Sequence, residues 1–198
     1  MRAILSLVTM LLSTTAFLSA QETAPKVEVF GGYSYANANT DDFLNRRANL
    51  NGWNSSLGVN FNRTFGIVGD FSGLYGSSGS NIAITCPVNQ TCSNSFNRST
   101  KTHTFLVGPQ FSFRTARATP FAHVLLGGAH ISATTLPNNF RDSDTAFAAA
   151  LGGGLDYTFT HKLAWRVQAD YLQTRFFFSD AQHNFRLSTG PVFRFGGK

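Results

Sequence analysis

The chain has 198 residues, and only 13% of them are Asp, Glu, Lys or Arg, whereas an average soluble domain carries about 25%. Its formal net charge is +6, but the basic residues are scattered, with no run longer than Arg46-Arg47, so nucleic-acid binding is not expected. Most polar residues are uncharged Asn, Ser, Thr and Gln, beside 20 Phe and 18 Gly. Such a low charge indicates that much of the exterior does not face water.

The first 20 residues have the pattern of a secretory signal peptide. Arg2 supplies the positive n-region, residues 3–18 an apolar h-region, and Ala20 the small residue before the cleavage site. We therefore expect a signal peptide at 1–20 and one domain at 21–198. No later stretch has the roughly 18 to 20 apolar residues of a transmembrane helix, which excludes a helical membrane protein but not one that crosses with strands.

Two cysteines, Cys86 and Cys92, flank the segment PVNQT. An exported chain meets oxidising conditions, so a local disulfide is expected. Two cysteines with no histidine between them are too few ligands for a metal site. Because the histidines elsewhere in the chain show no metal-ligand spacing either, no cofactor is expected.

Eight segments after residue 26 alternate apolar and polar side chains with the period-two pattern of half-buried β-strands. In chain order they are KVEVFGGYSYA (26–36), GWNSSLGVNFN (52–62), GIVGDFSGLYG (66–76), THTFLVGPQFSFR (102–114), PFAHVLLGGAHIS (120–132), TAFAAALGGGLDYTF (145–159), LAWRVQADYLQT (163–174) and NFRLSTGPVFRF (184–195). Each reaches the roughly 9 to 11 residues that cross a bilayer at a tilt. Bacterial outer-membrane barrels also have an even number of strands.

The predicted connections alternate in length. The short ones contain NRTF, RTARAT and THK, and the longer ones are residues 37–50, 77–100, 133–143 and 175–182. Short turns on one rim and longer loops on the other are typical of outer-membrane barrels.

Alternation alone does not say which face lies outside, because a lipocalin-like barrel is apolar inside. Here the polar face is built mainly of small, uncharged residues, and the apolar face is bulky, which suits a lipid-facing exterior around a narrow interior. Aromatic residues near the strand ends resemble the girdles of membrane barrels: Tyr33, Tyr35, Trp53, Tyr75, Tyr157, Trp165 and Tyr171. The sequence therefore predicts an all-β, eight-stranded antiparallel up-and-down transmembrane β-barrel.

Charged residues on the polar faces are expected in the barrel interior: Glu28, Asp70, Asp156, Arg166, Asp170, Arg186 and Arg194. Because buried charges need partners, symmetry about the hairpin turns pairs Asp156 with Arg166 and Asp170 with Arg186. Across the closure of the barrel, Glu28 would meet Arg194. This network has two interpretations, polar packing of the interior or a plug or gate.

The segments VEVFGGYSY, GWNSSLGVNFNRTFGIVGDFSG, THTFLVGPQFSFR, PFAHVLLGGAHIS and NFRLSTGPVFRFG resemble the OmpA-like outer-membrane β-barrel family of Gram-negative bacteria. The resemblance implies a location in the outer membrane and contact with its lipid and lipopolysaccharide. GPVFRF, with Gly190, Phe193 and Phe195, is also similar to the terminal signal that the barrel-assembly machinery recognises.

The function expected from these features is non-enzymatic: a structural or surface-interaction role through extracellular loops. Residues 77–100 are the candidate contact for an extracellular ligand whose identity the sequence does not give. One alternative is a lipid A deacylase-like enzyme, since His130 and Ser132 are two apart on one strand and Asp142 and Asp144 follow. The other alternative is a small pore.

Overall fold

The computed structural model describes residues 24–41, 46–85, 91–136, 140–174 and 182–196. They form eight antiparallel strands that pair in chain order, and β1 pairs with β8 to close a barrel. The strands are β1 (Val27–Asp41), β2 (Arg46–Asn60), β3 (Phe65–Thr85), β4 (Thr91–Ser112), β5 (Ala118–Leu136), β6 (Phe140–Thr160), β7 (Leu163–Thr174) and β8 (Gln182–Phe195). The predicted eight-stranded up-and-down barrel is confirmed. The expected signal peptide at 1–20 lies outside the described residues.

Side chains alternate between the interior and the exterior of the barrel. On β7, Arg166, Gln168 and Asp170 are buried, whereas the alternating residues Trp165 and Val167 are exposed. Outward-facing apolar residues on all eight strands keep large exposed fractions, for example 52% for Phe105 and 61% for Leu151. Soluble monomers rarely expose apolar patches larger than a few hundred Å². A belt of this kind around the whole barrel suits contact with lipid. Among the residues described, no helix is long and apolar enough to cross a membrane.

Three short turns lie at one end of the barrel, here called the short-turn rim. They connect β2 to β3 (61–64), β4 to β5 (113–117) and β6 to β7 (161–162). In the first turn, Asn62 Oδ1 accepts hydrogen bonds from the backbone N–H groups of Thr64 (2.8 Å) and Phe65 (2.7 Å), an Asx-type contact that favours a tight reversal. β1 begins and β8 ends at the same rim, where Val27 pairs with Phe195.

At the opposite end the strands extend further than the sequence predicted. β3 has 21 residues and β4 has 22, about twice the roughly 9 to 11 that cross a bilayer. Most of the predicted loop 77–100 is therefore a β-hairpin, paired from Ser77 with Ser99 to Thr85 with Thr91. Segments 37–50 and 133–143 likewise contain strand. The prediction was wrong here because strands beyond the membrane have no lipid-facing side, so the alternation that marks a strand disappears.

Aromatic side chains concentrate at two levels of the exterior, as the sequence predicts. Near the short-turn rim, Phe65 contacts both Phe61 and Phe111, with ring centroids 5.9 and 5.3 Å apart. At the other level, the Tyr33 hydroxyl donates a hydrogen bond to Asn51 Oδ1, and Tyr171 bonds to His183. Ring systems with one polar atom suit the boundary between lipid and water.

Closure of the barrel depends on a close approach of β1 and β8 at glycines. A Cβ added to Gly190 would lie 2.3 Å from the carbonyl oxygen of Gly31, and one added to Gly32 would lie 2.2 Å from that of Thr189. A Cβ at Gly31 would meet nothing within 4 Å. The two chain-terminal strands therefore need glycine at 32 and 190 but not at 31.

We predict that Gly190→Ala destabilises the closed barrel by about 1–3 kcal/mol, because the new methyl group collides with backbone that cannot move freely. The matched control Gly31→Ala should stay within about 0.5 kcal/mol of the parent. The measurement is urea unfolding in lipid vesicles, followed by the different gel mobility of folded and heated protein. Equal midpoints for the two variants would contradict the close approach.

Candidate functional site

The barrel interior holds two groups of charged side chains. The lower cluster, near the short-turn rim, consists of Glu28, Arg114, Asp156, Arg166 and Arg194. The upper cluster, nearer the long hairpins, consists of Asp70, His123, Asp170 and Arg186. All of these side chains except that of Arg114 are less than 8% exposed, and Arg114 is 9% exposed. Their polar contacts are therefore made almost entirely with protein.

The lower cluster links four strands through two carboxylates. Glu28 Oε1 accepts hydrogen bonds from Arg114 Nη1 (2.9 Å) and Arg194 Nε (3.1 Å). Asp156 accepts two from Arg166, at 2.7 and 2.9 Å, and one from Arg194 at 3.2 Å. The Asp156–Arg166 contact is the two-point geometry in which carboxylate and guanidinium interact most strongly.

Aromatic faces cover the Arg166 guanidinium. Its Cζ lies 4.3 Å from the ring centre of Phe121 and 5.4 Å from that of Phe30. Both rings are buried and lie on inward-facing positions of β5 and β1. Cation–π attraction stabilises a desolvated guanidinium in this position, so the apolar residues of the interior take part in holding its charge.

In the upper cluster one guanidinium serves two carboxylates. Arg186 donates to Asp70 Oδ1 from Nη1 (2.8 Å), and to Asp170 Oδ2 from Nη2 (2.7 Å) and Nε (2.9 Å). His123 Nε2 lies 2.8 Å from Asp170 Oδ1. Asn54 adds a hydrogen bond to Asp70 Oδ2 at 2.8 Å. The cluster thus joins β2, β3, β5, β7 and β8 across the lumen.

The charges of the interior balance. Within the described part of the chain, four carboxylates (Glu28, Asp70, Asp156 and Asp170) contact four guanidinium groups (Arg114, Arg166, Arg186 and Arg194). Balance matters because burying an uncompensated charge in a poorly hydrated interior destabilises the fold by several kcal/mol. An eight-stranded barrel is just wide enough for side chains to fill. These side chains fill it with paired charge.

The structure brings together the two pairs that hairpin symmetry suggests, Asp156 with Arg166 and Asp170 with Arg186. It also brings together Glu28 and Arg194, the pair expected across the closure of the barrel. It places Asp70 on the same guanidinium as Asp170. Sequence reasoning missed Arg114 and His123. Arg114 lies in a predicted turn and folds back inward, and His123 was visible only as an inward position on β5 with no hairpin-symmetric partner.

The residues of the enzyme alternative do not assemble. His130 and Ser132 lie on the outer face, and His130 Nδ1 contacts Thr145 Oγ1 at 2.8 Å. Asp144 pairs with Ile131 and Asp142 with Ala133, both of which face inward. Side chains of directly paired residues share a face, so both acids lie on the opposite face from the histidine. The predicted Ser-His-Asp arrangement is therefore absent.

The other predicted residues are placed as follows. Gly190, Phe193 and Phe195 lie on β8, with both rings exposed on the outer face. Cys92 begins the second half of the long hairpin, opposite Ile84. Cys86 lies outside the described residues, so the disulfide stays a prediction. No group of three potential metal ligands occurs in the segments that the structure covers.

A family model described as "Outer membrane protein beta-barrel domain" matches residues 4–193. This chain belongs to that family. An outer-membrane barrel has short periplasmic turns and longer extracellular loops, so the short-turn rim faces the periplasm and the long hairpins face outward. No curated protein sequence matches the chain significantly.

Solved structures share the fold of this outer-membrane barrel. Ail, the attachment invasion locus protein of Yersinia pestis, is 19% identical, with a TM-score of 0.57 over 86% of this chain and 99% of Ail. Neisserial surface protein A is 14% identical, with a TM-score of 0.58 over 88% of this chain and 100% of that one. OprG from Pseudomonas aeruginosa is 10% identical, with a TM-score of 0.52 over 88% and 97%. These likenesses are in fold.

We predict that Arg186→Met destabilises this outer-membrane barrel by about 3–5 kcal/mol, because two buried carboxylates lose their shared partner. Adding Asp70→Asn and Asp170→Asn to the same chain should recover most of the loss. Urea unfolding in vesicles measures both, with exposed Arg117→Met as the control for removing an arginine. A single variant as stable as the parent would show that the cluster does not compensate charge.

We also predict that the barrel does not conduct ions, because its lumen is filled by the two clusters. Planar-bilayer recordings of the purified protein should show no current steps above the lipid baseline. Reproducible steps that scale with the amount of protein would contradict a filled lumen and would favour the pore.

Proposed function

We propose that this protein is a non-enzymatic outer-membrane barrel that acts at the cell surface through its β3–β4 hairpin. The length of that hairpin carries the proposal. Its ladder continues from Ser77–Ser99 to Thr85–Thr91, beyond the aromatic level at Tyr75. At about 3.3 Å per residue, nine pairs extend it by roughly 30 Å along the strand direction.

The edges of this hairpin give it a means of binding. The β2–β3 ladder ends where Asn51 pairs with Tyr75, and the β4–β5 ladder ends where Asn97 pairs with Leu136. Among the described residues, the upper part of β3 and the start of β4 therefore pair only with each other, and the outer edge of each strand is unpaired. An unpaired strand edge offers backbone N–H and C=O groups to an incoming chain. The hairpin is thus suited to contact with an extended partner.

The interior supports the same proposal because it argues against the alternatives. A lumen occupied by paired charge disfavours a pore. The separation of His130 and Ser132 from Asp142 and Asp144 leaves the lipid-modifying enzyme without its arrangement of residues. What is left for function is the surface, and its largest projection is the hairpin.

A polyanion is the first partner class to test. A structure of Ail, 18% identical to this chain with a TM-score of 0.56, contains the heparin analogue sucrose octasulfate. The present chain carries a net charge of +6, and the hairpin ladder includes Arg98, paired with Ser78, which favours association with sulfated polysaccharide. We therefore extend the proposal to sulfated polysaccharides at the surface of other cells.

Three further assignments belong to this proposal. Residues 1–20 would direct export, and a Cys86–Cys92 disulfide would fix the tip of the hairpin in the oxidising space outside the inner membrane. Gly190, Phe193 and Phe195 would be recognised by the barrel-assembly machinery. The exposed rings of Phe193 and Phe195 on the last strand support this assignment. Glycine is also needed at position 190 because β1 and β8 approach closely there.

We predict that replacing residues 78–98 with a two-residue Asn-Gly turn abolishes retention of whole cells on immobilised heparin, because it removes the projecting hairpin, its Arg98 and both free edges. Cells of a heterologous Gram-negative host would carry the parent or the variant. The matched control shortens the β5–β6 hairpin between Thr134 and Arg141 and should keep retention. Loss of retention in the control alone, or full retention after removal of 78–98, would contradict the proposal.

A further inference from the structure

The outer wall of the barrel carries a basic patch on β4, β5 and β6, defined by Lys101, His103, His130 and Arg141. The ladder positions them in neighbouring rows: Lys101 pairs with Ser132, His103 with His130, and Thr134 with Arg141. All four side chains are exposed. The patch lies level with and just above the outer aromatic residues, since Tyr75 pairs with Lys101. This is the depth of the headgroups of the outer leaflet.

The two permanent cations of the patch are Lys101 and Arg141. In the part of the chain that the structure describes, no carboxylate forms an ion pair with Lys101 or Arg141. The nearest acids in sequence, Asp142 and Asp144, sit at positions paired with inward-facing residues. The contrast with the interior, where every guanidinium has a carboxylate, indicates that these two cations serve something outside the protein.

An apolar groove of about 420 Å³ opens directly below the patch. Its walls include Trp53, Phe71 and Phe105, and the imidazoles of His103 and His130 close its upper end. The floor contains Gly128, which pairs with Phe105 on one side and with Phe147 on the other. A Cβ at Gly128 would find only the Ala146 carbonyl oxygen, at 3.8 Å. The groove exists because this one outward position lacks a side chain between large rings.

From this arrangement we infer that the basic patch and the groove bind one phosphorylated glycolipid of the outer leaflet, with an acyl chain in the groove and phosphates at Lys101 and Arg141. An aliphatic chain fits a notch between phenyl rings, which would otherwise pack poorly against bulk lipid. Phosphate oxygens accept hydrogen bonds from ammonium and guanidinium groups at the wet upper end. The ligand and the site therefore both have an apolar end in the membrane and a charged end at its surface.

The spacing of the cations selects the class of lipid. Lys101 and Arg141 lie two strands apart, or about 10 Å across the sheet. A disaccharide headgroup with a phosphate at each end spans that distance, whereas the single phosphate of a glycerophospholipid reaches one cation. Hydroxyl groups lie between the cations, from half-buried Ser132 and exposed Ser143 in paired positions. They supply donors and acceptors for sugar hydroxyls.

The site is independent of the β3–β4 hairpin. It lies on the wall formed by β2–β6, below the tip that contacts partners in the proposed surface role. A protein that fails to bind heparin can therefore still bind the glycolipid, and the converse also holds.

Native mass spectrometry of the full barrel in detergent tests the assignment, with bisphosphorylated lipid A and the same lipid after removal of both phosphates as probes. The parent should bind the phosphorylated form about tenfold more tightly, in the range expected when charged hydrogen bonds are gained. Lys101→Gln combined with Arg141→Gln should abolish this preference. The matched control, Arg117→Gln with Lys162→Gln, removes the same charge at the short-turn rim and should keep it.

A second variant tests the groove without changing charge. Gly128→Leu fills the notch and should weaken binding of both lipids about fivefold while the preference for phosphate is kept. Unchanged gel mobility before heating verifies that each variant is folded. The assignment is overturned if the parent binds both lipids equally, if the double variant keeps its preference, or if Gly128→Leu binds as the parent does.

Discussion

Compensation of charge inside a closed wall of strands is the constraint on which the rest of this structure depends. A barrel in lipid must satisfy its backbone hydrogen bonds between strands, which leaves the side chains to fill the lumen. Here the lumen contains guanidinium groups such as Arg186 and Arg166, and each is held by carboxylates from other strands. The strands are therefore linked through the middle of the barrel as well as edge to edge.

Much of this arrangement could be read from the sequence because membrane barrels obey a strict period of two. The alternation predicted which residues face inward. Because antiparallel hairpins pair residues symmetrically about their turns, counting outward from the turn was enough to predict the ion pair between Asp156 and Arg166. Contacts across the lumen follow no such rule. The hydrogen bond between Arg186 and Asp70 joins residues 116 positions apart on strands that are not neighbours. Only the curvature of the closed sheet brings these two residues together.

The sequence pattern also did not predict where the strands end outside the membrane. β3 continues through SSGSNIAIT, and a strand beyond the bilayer has no lipid-facing side that would select an apolar alternation. The separation of His130 from Asp144 has a different origin. Their spacing in sequence is compatible with several hairpin registers, and a shift of one residue exchanges the two faces of a strand.

Glu28 and Arg194 lie on the first and last strands and meet only when the sheet closes. Until then, the open sheet exposes a charged inner position on each of its two free edges. Like charges directly opposite each other on paired strands are destabilising, so the same residues that join β1 to β8 disfavour β1–β1 and β8–β8 pairing between two unfinished barrels. The ion pair thus favours pairing between the first and last strands of one chain, and completion of the barrel buries it.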